Sequence, residues 1–140
     1  MSYTTTVKNN IINSGKTRKK CCKRAELYGC FFSSDHFSPD EMIIHQTNAD
    51  VVSYFKETLN EITGNDFTEI RNGRTASVVI SQKDARKVQA KLKIQHCDNV
   101  LDTDALSSDC CRHAFIRGVF LSCGTVSNPD NNYHMEFVVQ

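Results

Sequence analysis

The chain has 140 residues, of which 39% are hydrophobic and 24% charged, so it has the length and composition of one globular domain and not of a disordered chain. The net charge of +1 conceals an asymmetry: residues 1–24 hold seven Lys or Arg and no acid, whereas residues 98–140 hold six acids and two bases. Because the sequence shows neither a long apolar run nor a signal peptide, it predicts a cytoplasmic protein without a membrane span, whose seven cysteines are reduced thiols.

Helical and strand periodicities alternate along the chain. The expected elements are helices at 1–14 and 21–34, a strand at 42–45, a helix at 49–63, strands at 67–70 and 75–81 joined through Asn72-Gly73, a helix at 82–94, a helix that ends at Gly124, and strands at 125–126 and 134–139. Asn48 or Asp50 is expected to cap the helix at 49–63, and Ser108 or Asp109 the helix that follows the polar linker 97–108.

Two of these helices come from a repeated stretch. Residues 21–37 (CCKRAELYGCFFSSDHF) and 110–126 (CCRHAFIRGVFLSCGTV) share six identities in seventeen positions. On a helical wheel, four of the identical pairs fall on one face roughly 80° wide, and all of them are small. This stripe consists of Cys22, Ala25, Gly29 and Ser33 in the first copy, and of Cys111, Ala114, Gly118 and Ser122 in the second.

Small residues four positions apart allow two helix axes to approach closely. Glycine in a helix interior costs about 1 kcal/mol relative to alanine, so its recurrence indicates a packing reason. The sequence therefore predicts that the two helices pair along these stripes about a pseudo-two-fold axis. The alternative is two amphipathic helices that resemble each other by chance.

This order of elements, with paired glycine-bearing helices, resembles the LAGLIDADG homing-endonuclease fold. CCKRAEL at 21–27 and CCRHAFIRGVFLSCGTVSNPDNNYHMEFV at 110–138 resemble the WhiA family of bacterial sporulation and cell-division regulators, which carry a degenerate LAGLIDADG domain followed by a helix-turn-helix domain. The resemblance implies an α+β fold, with one full αββαββ-type repeat at 1–105 and the first helix and hairpin of a truncated second repeat at 106–140. A longer chain or a partner is expected to complete the second repeat.

Laid on the motif of active family members, the two metal-binding acid positions fall on Ser34 and Cys123. Neither side chain supplies the hard carboxylate oxygen that Mg²⁺ prefers and that two-metal cleavage of a phosphodiester requires. The resemblance therefore implies no catalytic residue, no cofactor and no nuclease activity. Asp35, one position further on, leaves a residual metal-dependent nuclease as an alternative.

Adjacent cysteines, Cys21-Cys22 and Cys110-Cys111, open the question of a zinc site. Structural zinc sites usually space their ligands as C-x₂₋₄-C, and neighbouring residues on a helix point about 100° apart. The sequence therefore favours Cys22 and Cys111 as small packing residues and predicts no metal site.

Basic residues indicate a surface for nucleic acid, whose phosphates they would bind in a salt-dependent way. The expected contacts are Lys16, Arg18, Lys19, Lys20, Lys23 and Arg24 near the first repeated helix, Arg71 and Arg74 on a hairpin, and Lys83, Arg86 and Lys87 on the helix at 82–94. A solvated helix face explains the last group equally simply.

The resemblance, together with the basic residues, implies part of a DNA-associated transcription regulator that is catalytically inactive and associated with the nucleoid. Its expected partners are DNA, bound weakly by this segment, and either a second copy of the chain or the helix-turn-helix domain, to which the resemblance assigns the main recognition. The alternative is a protein-interaction or dimerisation module that does not bind DNA by itself.

Overall fold

A computed structural model describes residues 3–14, 18–34, 37–95, 100–127, 130 and 134–138. Five α-helices lie in these ranges: α1 (Tyr3–Asn13), α2 (Lys20–Phe32), α3 (Ala49–Thr63), α4 (Gln82–Lys91) and α5 (Asp109–Cys123). Six strands accompany them: β1 (Phe37–Ser38), β2 (Glu41–Gln46), β3 (Ile70–Asn72), β4 (Thr75–Ile80), β5 (Gly124–Val126) and β6 (Met135–Phe137). The predicted α+β class and the αββαββ-type order from α2 to β4 are confirmed, and the short strand β1 is an addition to the expected elements. The division of the chain after residue 105 stays a prediction.

The first four strands form one antiparallel sheet in the order β1-β2-β4-β3. In the central pair, Ile43 lies opposite Val79 and Ile44 opposite Val78. Ile44 and Val78 are buried against the helices, whereas Val79 remains 48% exposed. Since successive strand residues point to opposite sides, the sheet has one face on the core and one open face. Strands β5 and β6 form a separate antiparallel pair.

Helix ends follow the predicted capping signals. The Asn48 side chain accepts hydrogen bonds from the backbone N–H groups of Asp50 and Val51, so it is the cap of α3. Gly64 ends this helix with φ of 74°, a left-handed conformation that glycine adopts without strain. Ser108 caps α5 through a hydrogen bond from the Cys111 N–H at 3.3 Å.

The hairpin differs from its prediction at both ends. Its turn is Gly73-Arg74 and not Asn72-Gly73, because Asn72 pairs with Thr75 and the positive φ falls on Gly73. The expected strand at 67–70 begins only at Ile70. The Asn60 side chain accounts for this difference, since it accepts from the Phe67 N–H at 2.8 Å and donates to the Phe67 carbonyl at 3.3 Å.

Helix α4 ends at Lys91, three residues before the predicted end, because Lys93 has φ of 59° and turns the chain. The linker that follows is not featureless, since it contains a 3₁₀ turn at Thr103–Leu106. Asp102 is buried beside this turn, and its carboxylate accepts from the backbone N–H of Gln95 at 2.8 Å. Its own N–H donates to the Tyr28 hydroxyl at 2.7 Å, which ties the linker to α2.

Helix α1 is hydrogen-bonded to strand β5. The Thr4 hydroxyl donates to the Val126 carbonyl and accepts from the Val126 N–H, each at 3.0 Å. Lys8 is buried on the same helix, with its ammonium 5.7 Å from the centre of the Phe120 ring, and burial lowers its pKa. None of the described helices combines the length and apolarity needed to cross a membrane.

Candidate functional sites

The two repeated helices lie against each other and run in the same direction. All eight residues of the predicted stripe are buried. A Cβ added to Gly29 or to Gly118 would lie under 3.0 Å from the backbone of the facing helix, at Phe115 for Gly29 and at Glu26 for Gly118. The structure therefore places the two glycines where the backbones approach most closely, and the bulky faces of the helices remain free to form the core.

A buried ionic cluster, which the sequence argument missed, lies beside this contact. Glu26 is 1% exposed on α2, and its carboxylate accepts from Arg18 at 2.8 Å and from Arg117 of α5 at 3.1 Å. The Tyr54 hydroxyl donates to the other carboxylate oxygen. Burial, and then the negative charge of Glu26, raise the pKa of Tyr54. The repeat offered a signal, because Glu26 aligns with the buried, apolar Phe115 of the second copy.

The predicted acid positions meet in one pocket at the C-terminal ends of the paired helices. Ser34 and Cys123 line a cavity of about 480 Å³ between these helix ends and β2. Burial raises the pKa of the Cys123 thiol, which donates to the Val119 carbonyl. The described residues lining the cavity include no Asp or Glu: they are Cys30, Ser33, Ser34, Ile43, Ile44, His45, Gln46, Thr47, Ser122, Cys123, Thr125 and Val138. Asp35 lies outside the described residues.

Four cysteines meet at the opposite, N-terminal ends of the same helices. The sulfur atoms of Cys21, Cys22, Cys110 and Cys111 all lie within 4.8 Å of one another. Burial raises the pKa of Cys22 to about 12, whereas hydrogen bonding to the Ser108 hydroxyl and to Cys22 lowers the pKa of the exposed Cys110 to about 7. The two adjacent pairs stand 89 residues apart in the sequence, and the pairing of the helices brings them together.

The basic residues expected to contact phosphate fall into three groups. Arg18 belongs to the interior, because its side chain is 15% exposed and is held by Glu26 and Tyr54. Lys23 is 13% exposed and pairs with Glu61 at 2.9 Å. Neither side chain is part of an open basic surface, which corrects the expectation for these two positions. Lys16 lies outside the described residues.

The other basic residues near α2 and on the hairpin lie at the surface. Lys19 and Lys20 are exposed, and Arg24 is half-buried. Arg74 is exposed in the turn, and Arg71 is 63% exposed and pairs with Glu69 at 3.3 Å.

The most regular basic surface is on α4, and we call it the α4 stripe. Lys83, Arg86, Lys87 and Lys91 are exposed at spacings of three, four and eight residues, which place them on one helix face. The Arg86 guanidinium lies 3.9 Å from the Asp40 carboxylate, and both side chains are more than 60% exposed. The buried side of the same helix carries Ala85 and Val88, so the stripe is fixed in orientation by the core.

The open face of the four-stranded sheet is not basic. Opposed residues of an antiparallel pair share a face, so His45, Ser77 and Ile70 form one row on this side. Arg71 lies opposite the buried Ala76 and therefore belongs to the other face, at the edge. Among the described strand residues, those on the open face are Ser38, Glu41, Ile43, His45, Ile70, Asn72, Thr75, Ser77 and Val79, none of them Lys or Arg.

Apolar side chains are exposed at β6 and on the open face. Met135 is 59%, Phe137 40% and Val138 51% exposed, and Ile70 of the open face is 56% exposed. Such residues are typical of a contact surface when they are contiguous.

Comparison with known proteins agrees with the resemblance seen in the sequence. The family described as the WhiA LAGLIDADG-like domain matches residues 112–140, which include most of α5 and the strands β5 and β6. The probable cell division protein WhiA of Natranaerobius thermophilus is 25% identical over 97% of this chain and 47% of its own length. The same protein of Syntrophomonas wolfei is 25% identical over 99% of this chain and 50% of its own length.

A shorter match has higher identity. The probable cell division protein WhiA of Caldicellulosiruptor bescii is 40% identical over 41% of this chain and 18% of its own length. The chain spans about half the length of the curated relatives that it matches along nearly its whole sequence, at 47% and 50%. By its α+β architecture, its paired helices and these matches, the chain has a LAGLIDADG-like fold and is similar in sequence to WhiA proteins.

Proposed function

We propose that this chain is part of a DNA-associated transcription regulator of the WhiA type, in which a LAGLIDADG-like scaffold has lost catalysis and holds DNA. The matched relatives are named as cell division proteins, and we extend that role, with sporulation and a nucleoid location in the cytoplasm, to this chain. The observation that carries the proposal is the α4 stripe, whose cations are exposed and fixed in orientation by the core beneath them.

Phosphate contacts supply affinity but little sequence information. Lys83, Arg86 and Lys87 are suited to such contacts, whereas the open face of the sheet carries no cation among its described strand residues. Binding by this chain alone is therefore weak and largely independent of sequence. A helix-turn-helix domain elsewhere in the full protein would supply the main recognition, and the α4 stripe would hold the neighbouring DNA backbone.

A salt series tests this proposal. The affinity of the chain for a duplex of arbitrary sequence is measured by fluorescence anisotropy over increasing salt. Three to four phosphate contacts predict a slope of about −3 to −4 in the logarithm of the association constant against that of salt concentration. Absence of binding even at low salt would overturn the proposal. Tight, sequence-selective binding by the chain alone would contradict the assignment of the main recognition to a helix-turn-helix domain.

A second candidate function is supported by the exposed apolar residues Met135, Phe137 and Val138. Strand β6 lies at an edge of its two-stranded sheet, and an edge strand offers unpaired backbone groups to another chain. Under this alternative the chain is a dimerisation or protein-interaction module without DNA binding of its own. Light scattering that shows a dimer, together with no detectable DNA binding even at low salt, would favour it.

A further inference from the structure

The cysteine cluster is built from equivalent positions of the two repeated helices. Helix α2 begins at Lys20 and α5 at Asp109, so each helix carries its cysteines at the second and third positions of its first turn. The pseudo-two-fold pairing brings these first turns together. None of the four cluster cysteines belongs to the α4 stripe or lines the pocket near Ser34. The cluster is therefore separate from both.

The distances suit one tetrahedral ion. A zinc–sulfur bond is about 2.3 Å, which places the sulfurs of a tetrahedral site about 3.8 Å apart. The four sulfurs here lie within 4.8 Å of one another, so rotation of the thiols by small angles would bring all of them to bonding distance. Neighbouring cysteines on one helix diverge, but two ligands from each of two facing helices can surround a point between them.

The helix ends are electrostatically suited to thiolates. Helix α2 has no acid in its first turn and no side-chain hydrogen bond from its cap residue Lys19, which leaves its N-terminal N–H groups without the usual negative partner. A helix N-terminus stabilises a thiolate in its first turn. The N-terminus of α5 meets that of α2 here, although the α5 end is capped by Ser108 and carries Asp109 in its first turn. The exposed Lys19 and Lys20 add positive charge at the start of α2.

From this geometry we infer that Cys21, Cys22, Cys110 and Cys111 form a binding site for one thiophilic divalent cation, with zinc as the ion that best fits four sulfur ligands. On binding, the four thiols release their protons to solvent and the complex carries two negative charges, which face the two helix N-termini. The ion links the first turns of α2 and α5. It therefore stabilises the helix pair from the end opposite to the pocket.

Cobalt titration tests the site. The full chain is reduced with a phosphine, freed of metal with a chelator and titrated with Co²⁺, which gives intense visible bands when bound tetrahedrally by thiolates. We expect one Co²⁺ per chain, displacement by one Zn²⁺, and a higher melting temperature with Zn²⁺ than with chelator.

The double variant Cys21→Ser/Cys110→Ser removes the two less buried ligands and leaves the buried Cys22 and Cys111 in the seam. Its zinc affinity should fall by at least about a hundredfold, because loss of outer-shell partners alone costs 10- to 100-fold. Cys123→Ser, a thiol at the other end of α5, is the matched control and should bind as the native chain does. Circular dichroism confirms that each variant is folded.

Two results would overturn the inference. One is that the reduced native chain takes up no stoichiometric metal or shows only the weak bands of octahedral Co²⁺. The other is that the folded double variant binds Zn²⁺ as tightly as the native chain.

Discussion

Gly118 of α5 lies directly against the backbone carbonyl of Glu26 in α2, with no space for a side chain between them. Gly29 makes the corresponding approach to Phe115, so the contact is made twice about the pseudo-two-fold axis. The repeat of small residues in the sequence is thus explained by one physical requirement, the close approach of two backbones.

Gly118→Ala should reverse the usual effect of this substitution. In an ordinary helix the change gains about 1 kcal/mol, but overpacking at a closed contact costs about 1–3 kcal/mol or more. We expect a lower free energy of unfolding, measured by urea denaturation. Ala90→Gly on the exposed side of α4 is the control and should cost about 1 kcal/mol through helix propensity alone. A Gly118→Ala variant more stable than the native chain would show that the helices are not in contact there.

Glu26→Gln should destabilise the fold far more than the same change at a surface ion pair. It leaves Arg18 and Arg117 without a negative partner in a site where the Glu26 side chain is 2% exposed. Breaking such a pair costs about 3 kcal/mol. Glu61→Gln breaks the pair with Lys23, in which Glu61 is 50% exposed, and should cost less than about 1 kcal/mol. Equal losses in the two variants would contradict the assigned burial of the cluster.

Stability should decline at alkaline pH, and Cys30 is one cause beside Cys22 and Tyr54, whose pKa values burial also raises. Burial first, and then the charge of Glu26, raise the pKa of the Cys30 thiol above its unfolded value. A raised pKa means that the stabilising contribution is complete below the unfolded pKa and is lost as pH rises above about 9. Cys30→Ala should flatten the decline of the unfolding free energy from neutral pH upward, although it lowers stability overall. A variant with the same alkaline slope as the native chain would exclude Cys30 as one of its causes.

The pocket at Ser34 and Cys123 should not cleave DNA. Cleavage by two metal ions needs carboxylates to clamp them, and the described residues that line this pocket include none. We expect supercoiled plasmid to remain intact with Mg²⁺ or Mn²⁺. Cuts that disappear in Asp35→Ala would instead support the residual nuclease that the sequence left as an alternative.

Local signals in the sequence predicted much of the fold. Helix α3 is an example: its cap at Asn48, its end at Gly64 and its apolar spacing each depend on only a few neighbouring residues. Such features can be predicted from the sequence alone. The turn at Gly73-Arg74 and the late start of β3 could not, because they depend on strand register and on the Asn60 side chain, which reaches across seven residues.

Sites that depend on pairing of the two helices were harder to predict. In the sequence Arg18 lies in a basic cluster, but in the fold its side chain donates hydrogen bonds to Glu26 and Tyr54. Likewise, Cys21 and Cys110 stand 89 residues apart and meet only because the repeated helices run side by side. The predicted repeat contained this information, since equivalent positions of two helices paired in parallel lie at the same end.

The most direct test of the proposed function is the salt dependence of DNA binding in two matched double variants. Lys83→Gln/Lys87→Gln removes two charges from the α4 stripe, and Lys19→Gln/Lys20→Gln removes two exposed charges at the start of α2. We predict that the first variant lowers the magnitude of the salt slope by about 2 and that the second leaves it nearly unchanged. An unchanged slope in the α4 variant would contradict the assignment of the DNA contact to this helix.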